Sequence, residues 1–254
     1  MDVDGLRERN RDKAQEEADR GPVRAEPGAV PIGEAIEAFH AGDPLLFGIP
    51  GHLAGRGGVV PDAARWTGLD AFRSDVGMDK GIDNRHQSWG VEPTAMQLFA
   101  EAIGADQTLF STHGSTGNVH VAMLAALEPG ETLVMARNGH KSAFAGLVLS
   151  GARPVYVDPV YDDRRQLAHG VDPAELKRVL DAHPEARAVM VFTPTYYGVS
   201  SDVAALADIA HAHDLPLLTD DAWGLDYPFC SRLSPRSTGP TACAPPSRSC
   251  RAWT

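Results

Sequence analysis

The strongest constraint on the fold is a regular alternation of strand-like and helix-like segments between residues 108 and 219. Short runs rich in Val, Leu and Ala predict strands, and the segments between them carry apolar residues three or four positions apart, as helices do. Strands joined by helices of this length pair in parallel, with helices on both faces of the sheet. The sequence therefore predicts an α/β protein with three layers, α/β/α, around a mostly parallel sheet.

The predicted elements follow one another closely once this alternation begins. Apolar runs predict strands at residues 108–110, 132–136, 154–157, 188–192 and 217–219. Apolar stripes predict helices from Pro31 to Gly42 and at residues 95–103, 116–127, 142–150, 173–180 and 203–210. The helix after Asp172 has a complete start signal, because Asp172 caps it, Pro173 takes its first position and Glu175 stands where a capping box requires it. Between the first two helices the chain is rich in Gly and Pro and is predicted to be irregular.

Composition narrows the classes of function. Hydrophobic residues make up 43% of the 254 residues and charged residues 22%, which excludes disorder throughout. The net charge of -11 disfavours nucleic acid and anionic membrane surfaces as partners, and no apolar stretch is long enough to span a bilayer. We therefore expect chemistry on a small molecule, and a cytoplasmic location because the amino end is too charged for a signal peptide.

The two ends of the chain differ from its middle. Residues 1–30 form a charged leader that is predicted to be flexible. Residues 229–254 hold no Asp or Glu, are rich in Ser, Pro and Arg, and contain all three cysteines, Cys230, Cys243 and Cys250. Cysteines in this irregular spacing predict neither a disulfide framework nor a metal site. The segment is interpreted either as a solvated tail or as the product of out-of-frame translation.

Three polar segments directly follow predicted strands, and ligands bind at the carboxyl ends of the strands in such sheets. The first segment is residues 113–118, where Ser115, Thr116 and the amides of a helix start would hold an anion such as phosphate. A Gly-Ser-Thr turn is also typical of a plain helix cap. The segment matches neither a dinucleotide-binding fingerprint nor a nucleophile elbow.

The second segment contains His140 and the third contains Asp220. The ring of His140 would stack on an aromatic cofactor or would only start a helix. The carboxylate of Asp220 would hold a proton on a heterocyclic nitrogen, bind a divalent metal together with Asp221, or cap the next turn. An anion site, a stacking ring and a carboxylate are together the groups that a protein needs in order to use pyridoxal phosphate.

Seven short motifs lie between about Pro31 and about Phe229, at residues 50–52, 75–86, 99–106, 114–118, 137–142, 194–198 and 220–224. Each motif alone is unspecific, and the specificity lies in their order and spacing. Over this range the sequence resembles the ornithine/lysine/arginine decarboxylases, which are pyridoxal-phosphate enzymes with the aspartate-aminotransferase-like fold. The resemblance implies that residues 31–228 form part of the pyridoxal-phosphate-binding major domain, which is incomplete at its carboxyl end.

The resemblance also implies roles for individual residues, with pyridoxal 5'-phosphate as cofactor and no metal. The phosphate would be bound by Gly114, Ser115 and Thr116, the pyridine ring would be stacked by His140, the pyridine nitrogen would be paired with Asp220, and the site would be lined by Trp223. The implied reaction is decarboxylation of a basic amino acid, the small-molecule substrate, by a homodimer or a higher homo-oligomer.

The sequence departs from the family at the lysine that attaches the cofactor. Family members form their Schiff base through a Lys in a Ser-x-His-Lys motif, which this sequence lacks; its lysines are Lys13, Lys80, Lys141 and Lys177. The resemblance therefore implies a decarboxylase that is truncated or frameshifted after about Phe229 and inactive alone. The alternatives are a natural pseudoenzyme, another enzyme of this fold such as an aminotransferase or aldolase, and a non-catalytic fragment that binds a full-length relative.

Overall fold

The computed structural model describes residues 26, 28–57, 60–77, 82–84, 89–224, 227 and 251–252. The chain separates into two compact units, residues 1–102 and residues 103–254. Nearly all of the predicted leader, residues 1–30, and of the predicted tail, residues 229–254, lies outside the described residues. The extent of the predicted major domain, residues 31–228, stays a prediction.

The first unit is built from helices and one short hairpin. Its helices are α1 (Pro31–Ala41), α2 (Val60–Thr67), α3 (Leu69–Ser74) and α4 (Val91–Ile103), with a 3-10 turn at Leu53–Gly55 and an antiparallel hairpin of β1 (Asp83–Asn84) and β2 (Trp89–Gly90). Helices α1 and α4 confirm the predicted ones. The prediction of a wholly irregular chain between them is wrong, because α2 and α3 are helical, and their described side chains are mostly exposed.

The second unit contains a five-stranded parallel sheet in the order β4-β3-β7-β8-β9. Its strands are β3 (Thr132–Ala136), β4 (Arg153–Val157), β7 (Ala186–Phe192), β8 (Leu217–Asp220) and β9 (Arg251–Ala252). A small antiparallel hairpin, β5 (Tyr161–Asp162) with β6 (Leu167–Ala168), lies outside this sheet. Strand β9 falls within the predicted tail, and it forms because strand pairing needs only backbone groups, which the edge of β8 supplies.

Four helices of the second unit form as predicted, one before β3 and three between successive strands of the sheet. They are α5 (Gly114–Ala126), α6 (Lys141–Ser150), α7 (Pro173–Ala182) and α8 (Val203–Ala212). Helix α7 starts as its sequence indicates, since the Asp172 carboxylate accepts a hydrogen bond of 2.9 Å from the Ala174 amide. The Glu175 carboxylate, however, accepts hydrogen bonds from the Arg178 guanidinium, one turn along the same helix.

The core of the second unit lies on both sides of its central strands. Every residue of β3 is buried, and so is every residue of β7 except Arg187. Apolar side chains of the helices complete this core, among them Val119 and Met123 of α5, Leu176 of α7 and Leu206 of α8. This burial on both faces explains why these strands are continuous apolar runs in the sequence.

The predicted strand at residues 108–110 is wrong. The segment has no regular secondary structure, and Leu109 is 83% exposed. Thr, Leu and Phe at residues 108–110 resemble a strand, but the exposed side chains of Leu109 and Phe110 gain little of the burial that stabilises one in this sheet. Within the part of the chain that the structure describes, no helix has the length and hydropathy required to cross a membrane.

Candidate active site

Four of the six predicted site residues, namely Ser115, His140, Asp220 and Trp223, line one cleft of the second unit, at the carboxyl ends of β3, β7 and β8. The cleft has a volume of about 210 Å³. It is lined by Ser115, Asn138, His140, Phe192, Pro194, Thr195, Tyr196, Asp220, Ala222 and Trp223. A smaller cleft of about 20 Å³ in the first unit contains none of the predicted site residues.

Ser115 enters this cleft from the first turn of α5. The helix begins at Gly114, whose φ of 64° is a left-handed conformation that glycine adopts without strain. The side chain of the residue before it, His113, makes no capping hydrogen bond. The amides of the first turn are therefore available to an anion, at the positive end of the helix dipole. Gly114 and Thr116 flank Ser115 and do not line the cleft themselves.

His140 stands between the end of β3 and helix α6, and its ring caps that helix. The ring nitrogen Nδ1 lies 3.2 Å from the Ser142 amide and 2.8 Å from the Ser142 hydroxyl. Because a backbone N–H only donates, Nδ1 accepts, and the proton of the neutral ring lies on Nε2. His140 therefore starts a helix, as one sequence interpretation predicted, and it also lines the cleft. Its stacking on a cofactor stays a prediction.

Two substitutions of His140 separate these two roles. His140→Asn retains a good capping residue and removes the ring, so we expect nearly unchanged stability and weaker binding of pyridoxine 5'-phosphate, a stable cofactor analogue. His140→Phe retains a ring and removes the cap, so we expect a loss of about 0.5–2 kcal/mol in the free energy of unfolding. Urea unfolding and calorimetric titration of both variants check this pattern, and equal loss of binding in the two would refute a stacking role.

Asp220 is the last residue of β8 and the most deeply placed charged group of the cleft, with 8% of its surface exposed. Burial raises the pKa of Asp220 above its usual range, against a weaker opposing effect of the Ala222 amide, which donates to Oδ1 at 3.3 Å, and of His140. A buried carboxylate of this kind is stabilised by any positive charge brought into the cleft. Among the described residues, no group of three potential metal ligands contains Asp220 and Asp221.

The cleft also contains residues that the sequence reasoning assigned no role. Asn138 follows β3, Phe192 ends β7, and Pro194 to Tyr196 follow β7 directly. Ligands bind at the carboxyl ends of the strands in such sheets, so the positions of these residues after strands could have identified them as candidate site residues. Gly139 is required here for space, because a Cβ at this residue would lie 2.4 Å from the Phe192 ring.

Fold and site together define an α/β protein with a ligand cleft at the carboxyl ends of parallel strands, formed by a helix start, a histidine ring and a buried carboxylate. The family model described as "Orn/Lys/Arg decarboxylase, major domain" matches residues 30–235. The chain therefore belongs to the Orn/Lys/Arg decarboxylase family, which confirms the resemblance seen in the sequence motifs. Membership of this family indicates pyridoxal phosphate as the cofactor.

Similar proteins span all three substrates in the family's name. The chain is 34% identical over 203 residues to the arginine decarboxylase of Bacillus subtilis, covering 80% of this chain and 41% of that protein. It is 28% identical over 198 residues to the ornithine decarboxylase of Haemophilus influenzae, covering 70% of this chain and 27% of that protein. The constitutive lysine decarboxylase of Escherichia coli has a similar structure, with a TM-score of 0.65 and 22% identity over 80% of this chain and 30% of that one.

The chain thus spans about two fifths of the length of the Bacillus subtilis relative. The structural similarity confirms the predicted fold, since the described sheet is parallel and its helices and strands alternate.

Proposed function

We propose that this chain forms the cofactor-binding part of a decarboxylase that acts on a basic amino acid. The observation that carries the proposal is the meeting of Ser115, His140 and Asp220 in one cleft. Their three chemistries match the three recognisable parts of pyridoxal phosphate, namely a phosphate, a flat aromatic ring and a basic ring nitrogen. Curated relatives named arginine and ornithine decarboxylases support the substrate class.

The residues present fit this cofactor. The amides at the start of α5, with Ser115 and Thr116, would bind its phosphate. Asp220, whose pKa is raised by burial, would hold a proton on the ring nitrogen, because that positive charge compensates the buried carboxylate. His140 is fixed through Ser142, so its ring would support the flat face of the pyridine. Pyridoxal phosphate, when bound, supplies an electron sink for the negative charge left by departing carbon dioxide.

We also propose that these 254 residues do not release carbon dioxide by themselves. The Ser-x-His-Lys motif is not among them, and their lysines are Lys13, Lys80, Lys141 and Lys177. Lys141 is exposed at the first position of α6 and does not line the cleft. The chain would therefore bind the cofactor without attaching it.

We accordingly expect reversible binding of pyridoxal phosphate. Borohydride treatment followed by mass spectrometry should detect no stoichiometric label on any lysine, and incubation with labelled arginine should release no carbon dioxide. The arginine decarboxylase of Bacillus subtilis is the positive control in both assays. A single stoichiometric label together with carbon dioxide release would show that this chain is a complete catalyst.

Two other functions predict different products. An aminotransferase of this fold would form a keto acid, and a non-catalytic fragment would bind a full-length relative without changing any substrate. The decarboxylase relatives favour the first proposal. Co-purification with a full-length decarboxylase from the same cells would support the non-catalytic fragment instead.

The homodimer or higher homo-oligomer stays a prediction, and sedimentation of the purified chain tests it.

A further inference from the structure

The outer part of the cleft is formed by aromatic rings that are exposed. Tyr196 is 57% exposed and Trp223 is 66% exposed, although both line the cleft. The inner part differs, since Phe192 is 7% and Asp220 is 8% exposed. Rings of this size are a large apolar surface to leave in water, and Tyr and Trp in such positions are typical of binding sites.

The two exposed rings lie in contact with each other and continue from His140. The ring centroids of Tyr196 and Trp223 are 5.9 Å apart, with an edge-on angle of 74° between their planes. The Tyr196 centroid lies 6.2 Å from that of His140, at an angle of 55°. His140, Tyr196 and Trp223 therefore form a row of rings that leads from the inner cleft to its mouth.

The charges of the cleft favour a cation. Of the residues that line it, none is Lys or Arg, and Asp220 is an acid. The electron-rich faces of Tyr and Trp attract ammonium and guanidinium groups within about 6 Å of the ring centroid. The same unit already contains such a pair, because the Arg137 guanidinium lies 4.9 Å from the centroid of the Tyr156 ring.

We infer that Tyr196 and Trp223 form the subsite for the cationic end of the substrate side chain, while the inner cleft holds the cofactor. This inference rests on the proposed function, and it assigns the choice of a basic substrate to two named rings. Tyr197 provides a matched comparison, since it is the next residue, is 60% exposed and does not line the cleft.

The test compares a cation with its neutral counterpart. Butylguanidinium and butylurea have the same shape, and neither carries a primary amine. NMR titration of the 254-residue chain, saturated with pyridoxine 5'-phosphate, measures the affinity of each. We expect the wild type to prefer butylguanidinium by about 2- to 30-fold, the range that one to two cation–π contacts give. Tyr196→Leu and Trp223→Leu should each lower this preference, and Tyr197→Leu should retain it.

Three results would overturn the inference: no preference in the wild type, an unchanged preference in both Tyr196→Leu and Trp223→Leu, or an equal loss in Tyr197→Leu. Circular dichroism of each variant monitors folding, which exposed side chains affect little. Failure of the wild type to bind pyridoxine 5'-phosphate would instead refute the proposed function. The two failures are therefore distinguishable within one experiment.

Discussion

Replacing Asp220 by Asn is expected to weaken binding of pyridoxine 5'-phosphate by about 10- to 100-fold. A hydrogen bond between two charged groups contributes about 1.5–3 kcal/mol, and each 1.4 kcal/mol is a factor of ten in affinity. The loss of affinity should be closer to 100-fold, because Asp220 is buried and water only weakly screens its interaction with the protonated ring nitrogen. Asparagine has the same shape and removes only the charge. Isothermal titration calorimetry of the purified chain measures the change.

Asp208→Asn is the matched control for this variant. Asp208 lies on α8 with its side chain exposed, so the substitution makes the same change in net charge outside the cleft. We expect its affinity for pyridoxine 5'-phosphate to stay within about twofold of the wild type, as for a surface substitution. If both variants weaken binding equally, the effect comes from the net charge of the protein, and Asp220 has no specific role.

Asp220 also gives the free protein a pH signature. Burial raises its pKa in the folded chain, so folding favours the protonated carboxyl, and this stability is lost as the pH rises through the folded pKa. At neutral pH, where the unfolded chain would have this carboxyl ionised, its raised pKa in the fold lowers the stability of the protein in the absence of a ligand. Asp220→Asn should therefore be more stable than the wild type at pH 7, and this difference should disappear below the usual Asp pKa of about 3.9. Urea unfolding across this range checks the sign.

The second large effect concerns stability. Leu218→Ala is expected to lower the free energy of unfolding by about 2–5 kcal/mol, because the substitution leaves a cavity in the core. Leu218 is 1% exposed and lies in β8, the strand that carries Asp220 at its end. A loss of this size is a large part of the total stability of an ordinary domain. Urea unfolding monitored by circular dichroism measures it.

Leu124→Ala provides the comparison for the same chemical change at the surface. Leu124 lies on α5 and is 51% exposed, so little core packing is removed and the expected loss is below about 1 kcal/mol. Similar losses in the two variants would show that β8 does not pack in the core as the structure places it.

The parts of the fold that the sequence predicted are those in which burial leaves a pattern. Strand β3 has the predicted bounds, and β7 and β8 differ from theirs by one or two residues, since their side chains are buried on both faces. The two errors concern exposed segments, which burial in a core does not shape. Helix α2, with Trp66 89% exposed, was missed, and residues 108–110 were mistaken for a strand.

Some residues of the candidate site could be predicted from the sequence, and others could not. Ser115, His140 and Asp220 were predicted because each stands at or after the end of a predicted strand and carries recognisable chemistry, and Trp223 was predicted from the family resemblance. Tyr196 and Asn138 follow strands too, but their membership of the cleft depends on how the side chains are directed, which no local pattern encodes. The capping role of His140 depends likewise on its ring reaching Ser142. Such side-chain contacts can be identified only from the three-dimensional structure.

The measurement that tests the central claim most directly is a calorimetric titration of the 254-residue chain with pyridoxine 5'-phosphate and with pyridoxine. Both compounds lack the aldehyde, so neither attaches to surface lysines, and they differ only in the phosphate that the start of α5 is proposed to bind. The account predicts one saturable site for the phosphate ester and at least tenfold weaker binding of pyridoxine, as expected when contacts to a charged group are lost. Equal affinities, or no saturable binding of the phosphate ester, would contradict it.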